Sequence, residues 1–126
     1  TPGDLDGAFS TMVAKRVGAL LVVVSPLTYL LKESIAESAI KYRLPSMFGT
    51  RENVEAGGLM SYAPDQADLT RRAATYIDKI IKGDKPAGLP VEQASKYRLA
   101  INLSTAKLLG LHLPPTLLAL ADDLID

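Results

Sequence analysis

No cysteine occurs among the 126 residues, which excludes a disulfide scaffold, a thiolate metal site and a cysteine nucleophile. That absence is compatible with either cytosol or periplasm. Net charge is missing as well, since 14 basic residues balance 14 acidic ones. No electrostatic footprint therefore argues for nucleic acid or for an anionic membrane surface as a partner. A long hydrophobic run is also lacking. The most apolar stretch, 17–31, is interrupted by Ser25-Pro26 and falls short of the roughly 20 residues a membrane span needs, so the chain reads as soluble. Histidine is reduced to His112, between Leu111 and Leu113 and just ahead of Pro114-Pro115, where it reads as a turn residue. Phosphate-binding glycine loops, a nucleophile elbow and a histidine pair for a metal are all absent, so no catalytic constellation, cofactor site or metal site is nominated. There is no internal repeat and no low-complexity tract. The chain opens on Thr1-Pro2-Gly3 without a methionine or a signal-peptide pattern, as expected of a mature, processed or cut product.

What is present is an alternation of periods. A chain of this length builds one modest core, burying roughly two thirds of the surface its unfolded form exposes. Leu5, Phe9, Met12, Val13 and Val17 recur at helical spacing behind a cap at Asp4, predicting a helix that ends near Gly18. Residues 19–24 are continuously apolar and end in β-branched valines, which predicts a strand buried on both faces. Leu27, Leu31, Ile35, Ala39 and Tyr42 mark a second helix, and 44–48 a short strand. A short helix over 51–56 stops at Gly57-Gly58, where glycine relieves a left-handed turn; this outweighs phosphate binding as the reason for the pair. Residues 59–62 supply a third strand. Asp65 caps a long helix whose stripe Leu69, Ala73, Tyr76, Ile77, Ile80 and Ile81 closes at Gly83. After a Gly/Pro-rich loop over 84–90, residues 97–103 alternate as a strand expected to be less deeply buried than the first. Ser104 begins a short helix ending at Gly110, and Pro114-Pro115 opens a final helix through Leu124, with Asp122, Asp123 and Asp126 as a solvated acidic end. With hairpin turns absent, this alternation predicts an α/β fold, a parallel sheet flanked by helices.

In open parallel sheets ligands collect beyond the carboxyl ends of the strands. Three segments qualify: Ser25-Pro26-Leu27-Thr28, Phe48-Gly49-Thr50-Arg51-Glu52 and Tyr62-Ala63-Pro64-Asp65. Their hydroxyls, aromatic rings, guanidinium and carboxylates suit a small polar or amphipathic solute, and Ser25, Thr28, Phe48, Arg51, Glu52 and Tyr62 are the candidate ligand-binding residues. The competing reading is structural: Ser25, Thr28 and Asp65 as helix caps, Arg51 and Glu52 as a solvated helix start, Phe48 and Tyr62 as core or rim. A two-component receiver domain shares the alternation, but it needs acidic residues at strand ends, and here the strongest strand runs into Val24-Ser25-Pro26.

Glu55-Ala56-Gly57-Gly58-Leu59-Met60-Ser61-Tyr62, Arg71-Arg72-Ala73-Ala74-Thr75-Tyr76-Ile77-Asp78-Lys79-Ile80, Lys82-Gly83-Asp84-Lys85-Pro86, Leu89-Pro90-Val91-Glu92-Gln93 and Ile101-Asn102-Leu103-Ser104-Thr105-Ala106-Lys107 follow one another in an order that resembles the solute-binding proteins of bacterial ABC transporters. With Leu109-Gly110-Leu111 and Pro114-Pro115, the similarity extends from about Asp4 to the end. The resemblance implies a type I periplasmic-binding-protein fold of two lobes, of which this chain is the C-terminal portion. Residues 1–63 would form most of the C-terminal solute-binding lobe, 64–91 a helix and loop packed on a missing N-terminal lobe, and 92–126 the hinge return with the remainder of the same lobe.

The same resemblance implies a non-enzymatic, extracytoplasmic protein that captures a small-molecule solute and delivers it to ABC permease subunits; the alternative is a ligand-sensing effector domain of a receptor or regulator. Where amino-acid-binding relatives carry polar and acidic residues at the first strand end, this chain has Pro26-Leu27, retaining Thr28 as a hydroxyl. An α-amino ligand is disfavoured on that ground, and Arg51 points to a different or more anionic solute. The stripe Leu69, Ala73, Tyr76, Ile77 and Ile80, deprived of a partner lobe, predicts self-association of the isolated chain.

Overall fold

A computed structural model describes residues 2–126; Thr1 lies outside the described residues. The chain divides into two compact units, one comprising residues up to Ala63 together with Arg98–Asp126, the other Pro64–Tyr97. In chain order the elements are α1 (Pro2–Ala14), β1 (Leu20–Val22), α2 (Pro26–Leu30), α3 (Lys32–Lys41), β2 (Ser46–Phe48), α4 (Arg51–Glu55), β3 (Met60–Pro64), α5 (Gln66–Ile81), β4 (Tyr97–Asn102), α6 (Leu103–Leu108), α7 (Pro115–Ala119) and β5 (Asp123–Ile125).

The larger unit is an α/β fold around a sheet of order β1-β2-β3-β4-β5. β1 pairs parallel with β2, β2 with β3, and β4 with β5. The β3–β4 pair departs from the expected all-parallel sheet. Asn102 donates its N–H to Leu59 O, and Asp65 donates to Lys96 O. Partner numbers fall on one strand as they rise on the other, which is the antiparallel relation. The chain leaves this unit on β3 and returns on β4, so no crossover intervenes to make the pair parallel.

The core of this unit is Phe9, Ile35, Ala39, Leu44 and Phe48, with Leu20, Val22 and Tyr42 packed against it and the Phe9 and Tyr42 rings stacked 5.6 Å apart. β1 is not buried on both faces as its composition predicts. Leu21 and Val23 are 70% and 74% exposed, because β1 is the edge strand among the described residues and only its Leu20/Val22 face meets the core. The expected burial ranking is accordingly reversed: β4 lies between β3 and β5, and its Ala100, Ile101 and Asn102 are buried. The helix predicted over 27–42 is broken at Leu31, whose ψ of 17° separates α2 from α3. α1 stops at Ala14, short of Gly18, and holds Asp4 in its first turn instead of at its cap.

Both glycines after α4 have a physical reason. Gly57 has φ +106°, a left-handed conformation that a side chain strains. At Gly58 a Cβ would stand 2.5 Å from the Phe48 ring and 2.7 Å from Asn53 O, so only glycine admits this close approach. α6 begins one residue earlier than the Ser104 start, because Asn102 is its cap: Oδ1 accepts the Thr105 N–H at 2.8 Å while Nδ2 donates to Val54 O at 3.2 Å. Thr105 Oγ1 donates to Gly57 O at 2.9 Å, a second tie to the same turn.

The final helix predicted through Leu124 ends at Ala119, and residues 123–125 form β5 instead. β4 has an open backbone edge on that side, and its N–H and C=O groups need partners. Asp122 N–H donates to Leu99 O at 2.8 Å and the strand pairing follows from there.

In the smaller unit Asp65 caps α5 by accepting the Asp68 N–H at 3.0 Å. Asp68 is its only buried helix residue and gathers Arg72 at 3.1 Å, Lys96 at 3.2 Å and Arg71 at 3.5 Å. Arg72 reaches on to Glu92 at 2.9 Å and to the Ser95 hydroxyl, and the Tyr76 hydroxyl donates to Pro90 O. The returning segment is thus strapped to the helix by charge-assisted bonds over an apolar groove of about 420 Å³, lined by Leu69, Tyr76, Ile80 and Leu89. Ile77 and Ile81 remain 58% and 79% exposed.

Candidate functional site

Because β1, β2 and β3 run parallel, their carboxyl ends share one edge of the sheet. The antiparallel return brings the first residues of β4 and β5 to that same edge. Every candidate side chain from the sequence falls within this larger unit.

Ser25 and Thr28 form a reciprocal capping box on α2. The Ser25 hydroxyl accepts the Thr28 N–H at 3.1 Å, and the Thr28 hydroxyl accepts the Ser25 N–H at 2.9 Å. Thr28 Oγ1 also donates to Val23 O at 2.8 Å. Both residues border an apolar groove of about 340 Å³ beside β1, lined by Leu5, Phe9, Met12, Leu20 and Val22. The hydroxyls therefore fix the turn leaving β1 as well as facing a concave surface.

Phe48 is 1% exposed and belongs to the core cluster, with its ring against Gly58. A ring so enclosed offers no face for stacking on a solute; it supports the turn that carries Arg51. Arg51 and Glu52 open α4 with exposed side chains, capped at Thr50, whose hydroxyl donates to Asn53 Oδ1. Arg51 Nη1 lies 2.6 Å from Glu55 Oε1, and Arg51 Nε lies 3.5 Å from Asp123 Oδ2. Tyr62 is 55% exposed on β3, while its neighbour Ser61 is buried, as alternation along a strand requires.

Two further charged residues at this edge escaped the sequence reading. Arg98, at the start of β4, places Nη2 3.3 Å from Asp123 Oδ1 and 3.2 Å from Oδ2. Asp123, at the start of β5, is thereby set between two guanidiniums, and its neighbour Asp122 accepts the Leu99 N–H at 2.8 Å. Asp123 thus departs from the solvated tail that composition suggests, while Asp122 stays exposed and bonds the backbone from there. The signal that could have found them is the alternation of 97–103 combined with its antiparallel sense, which sequence alone did not supply. Near α4, hydrogen bonding to Glu33 chiefly, and more weakly the charges of Tyr29 and Glu52, hold the Lys32 ammonium above its ordinary pKa. Among the described residues no group of three or more His, Asp or Glu side chains is arranged to hold a metal ion, and no helix is long and apolar enough to cross a membrane.

Solved structures similar to this chain share its fold. A conserved domain protein from Vibrio cholerae superposes with a TM-score of 0.85 at 23% identity, over 98% of this chain and 42% of its own. The ABC domain from Streptococcus pneumonia, solved in complex with L-Trp, gives 0.84 at 28% identity over 99% and 43%. A substrate binding protein with adhesive properties from Clostridium difficile, in its ligand-free open structure, gives 0.75 at 19% identity over 99% and 41%. The chain thus spans less than half the length of the structures it matches. No curated protein matches it. The family model described as ABC transporter substrate binding protein matches residues 3–125, and on that match the chain belongs to the ABC transporter substrate binding protein family.

Proposed function

We propose that this chain is the C-terminal lobe of a longer substrate-binding protein that captures a small solute between two lobes and hands it to an ABC permease outside the cytoplasm. The observation that supports the reading is that Arg51, Glu52 and Tyr62 lie at or near the carboxyl ends of the adjacent parallel strands β2 and β3, with Thr28 in the turn after β1, in a chain of a substrate-binding family. Brought against a second lobe, polar groups fixed on strand ends and short turns form half of a clamp, and closure about a hinge completes it. Within this half, Tyr62 and Glu52 present exposed side chains to the solute, Arg51 donates hydrogen bonds, and Ser25 and Thr28 shape the turn beside the groove. Phe48 acts from beneath.

The family is a substrate-binding one and not an enzymatic one. The relative bound to L-Trp makes that amino acid the first solute to try, alongside aromatic acids and uncharged aromatic or polar solutes. Thermal-shift screening of the longer protein tests the reading. A captured solute at a hundred times its dissociation constant adds about 2.7 kcal/mol of apparent stability, while the lobe alone should move little. If no solute stabilises the longer protein, or if calorimetry finds unchanged affinity after Arg51→Ala together with Tyr62→Phe, the assignment fails.

A further inference from the structure

Arg51 is by residue type suited to an anionic solute, yet its guanidinium is already answered twice. Glu55 Oε1 stands 2.6 Å from Nη1 and Asp123 Oδ2 stands 3.5 Å from Nε. Asp123 also engages Arg98 at 3.2 Å, and its Oδ2 is fully buried without a hydrogen bond among the described residues. The two guanidiniums, Arg51 and Arg98, are thus matched at this edge by two carboxylates, Glu55 and Asp123. The nearby Lys32 is matched by Glu33 at 3.0 Å. A solute carboxylate arriving here meets no net positive field and must compete with carboxylates already in place. The Arg51 Nη2 donors remain usable by an oxygen that carries no full charge.

Resting on the reading of this lobe as half of a solute clamp, we propose that Asp123 is a positioning and specificity residue, which makes Arg51 a charge-neutralised hydrogen-bond donor. This half of the site then selects a neutral or cationic solute group and rejects an anion. β5 becomes part of the site through a residue that need not touch the solute. The shared carboxylate also fixes the direction of Arg51, so less side-chain freedom is lost when a carbonyl or hydroxyl oxygen binds.

The test compares sodium benzoate with benzamide at matched ionic strength, two probes of one shape that differ in charge. The signals of the Arg51 side-chain Nε–Hε and of the Tyr62 amide are followed by NMR in the longer protein. In the native sequence benzamide should perturb Arg51 at least as strongly as benzoate. Asp123→Asn should turn the preference toward benzoate by about fivefold or more, and Asp123→Glu should restore the native ratio. Glu55→Gln, on an exposed helix surface where folding is not at risk, should move the ratio the same way. A merely structural Asp123 would alter stability while leaving the benzoate-to-benzamide ratio unchanged, and that result overturns the proposal. So does a native preference for benzoate, or an Arg51 signal insensitive to both probes. If a solute stabilises the longer protein while Arg51 stays silent, the capture reading stands and this inference falls; if no solute does, the capture reading itself falls.

Discussion

Replacing Asn102 tests how the larger unit is held together. Its side chain is 7% exposed and does two things at once. Oδ1 caps α6 through the Thr105 N–H at 2.8 Å, and Nδ2 donates to Val54 O, 48 residues away in sequence, at 3.2 Å. Asn102→Ala removes both. Loss of the cap costs about 1 kcal/mol. Leaving the buried Val54 carbonyl without its donor adds roughly 1–3 kcal/mol. Together they come to about 2–4 kcal/mol, which in a domain of this size lowers the melting temperature by on the order of 10 °C. Asn102→Ser separates the contributions, because a serine hydroxyl can still cap α6 but is too short to reach Val54, so it should recover about 1 kcal/mol of the loss. Urea unfolding followed by circular dichroism, with the transition midpoints compared at constant slope, measures both. An alanine cost below about 1 kcal/mol, or equal costs for alanine and serine, would refute the double role.

Gly58→Ala forces a Cβ to within 2.5 Å of the Phe48 ring and 2.7 Å of Asn53 O, so a loss of about 1–3 kcal/mol is expected in the same denaturation assay, and a neutral outcome would mean the turn gives way easily. Asp68 is held below its ordinary value of 3.8, chiefly by its bond from Lys96 and then by Arg72, with burial opposing. A lowered carboxylate pKa contributes stability above the unfolded value and loses it as pH falls through the folded one, so the 64–97 unit should loosen below about pH 4. Hydrogen exchange of α5 against pH reads this, and Asp68→Asn should remove the acid step. Light scattering at rising concentration is expected to show association of the isolated chain, with Ile77→Lys and Ile81→Lys reducing it; a monomer at every concentration would show that the exposed stripe on α5 is harmless.

The parts of the fold legible in the sequence are those set by local chemistry. Asp65 as cap, the stripe of α5 and the Gly57 turn need only a few neighbouring residues to specify them, and all three are present. What depends on distant partners is not legible in the sequence. Leu20–Val22 is apolar enough for a doubly buried strand, but burial is decided by what lies across its faces, and composition cannot see that. Residues 120–125 carry a helical spacing of leucines, yet the unpaired backbone of β4 claims the last of them as a strand. The candidate site divides along the same line. Arg51 and Glu52 follow from a strand end and a helix start, whereas Asp123 joins them only through an antiparallel return that a count of alternating elements does not reveal.

That return has a consequence for the chain as a piece of engineering. β3 and β4 are neighbours in the sheet, and residues 64–97 form a unit of their own between them. The two ends of this excursion therefore begin and finish one strand spacing apart, roughly 5 Å. Excising it and closing the gap with a two-residue Asn-Gly turn would leave the five-stranded order unchanged and convert a long detour into an ordinary hairpin. The excursion should therefore behave as a cassette, and its excision is expected to leave Arg51, Tyr62, Arg98 and Asp123 in place.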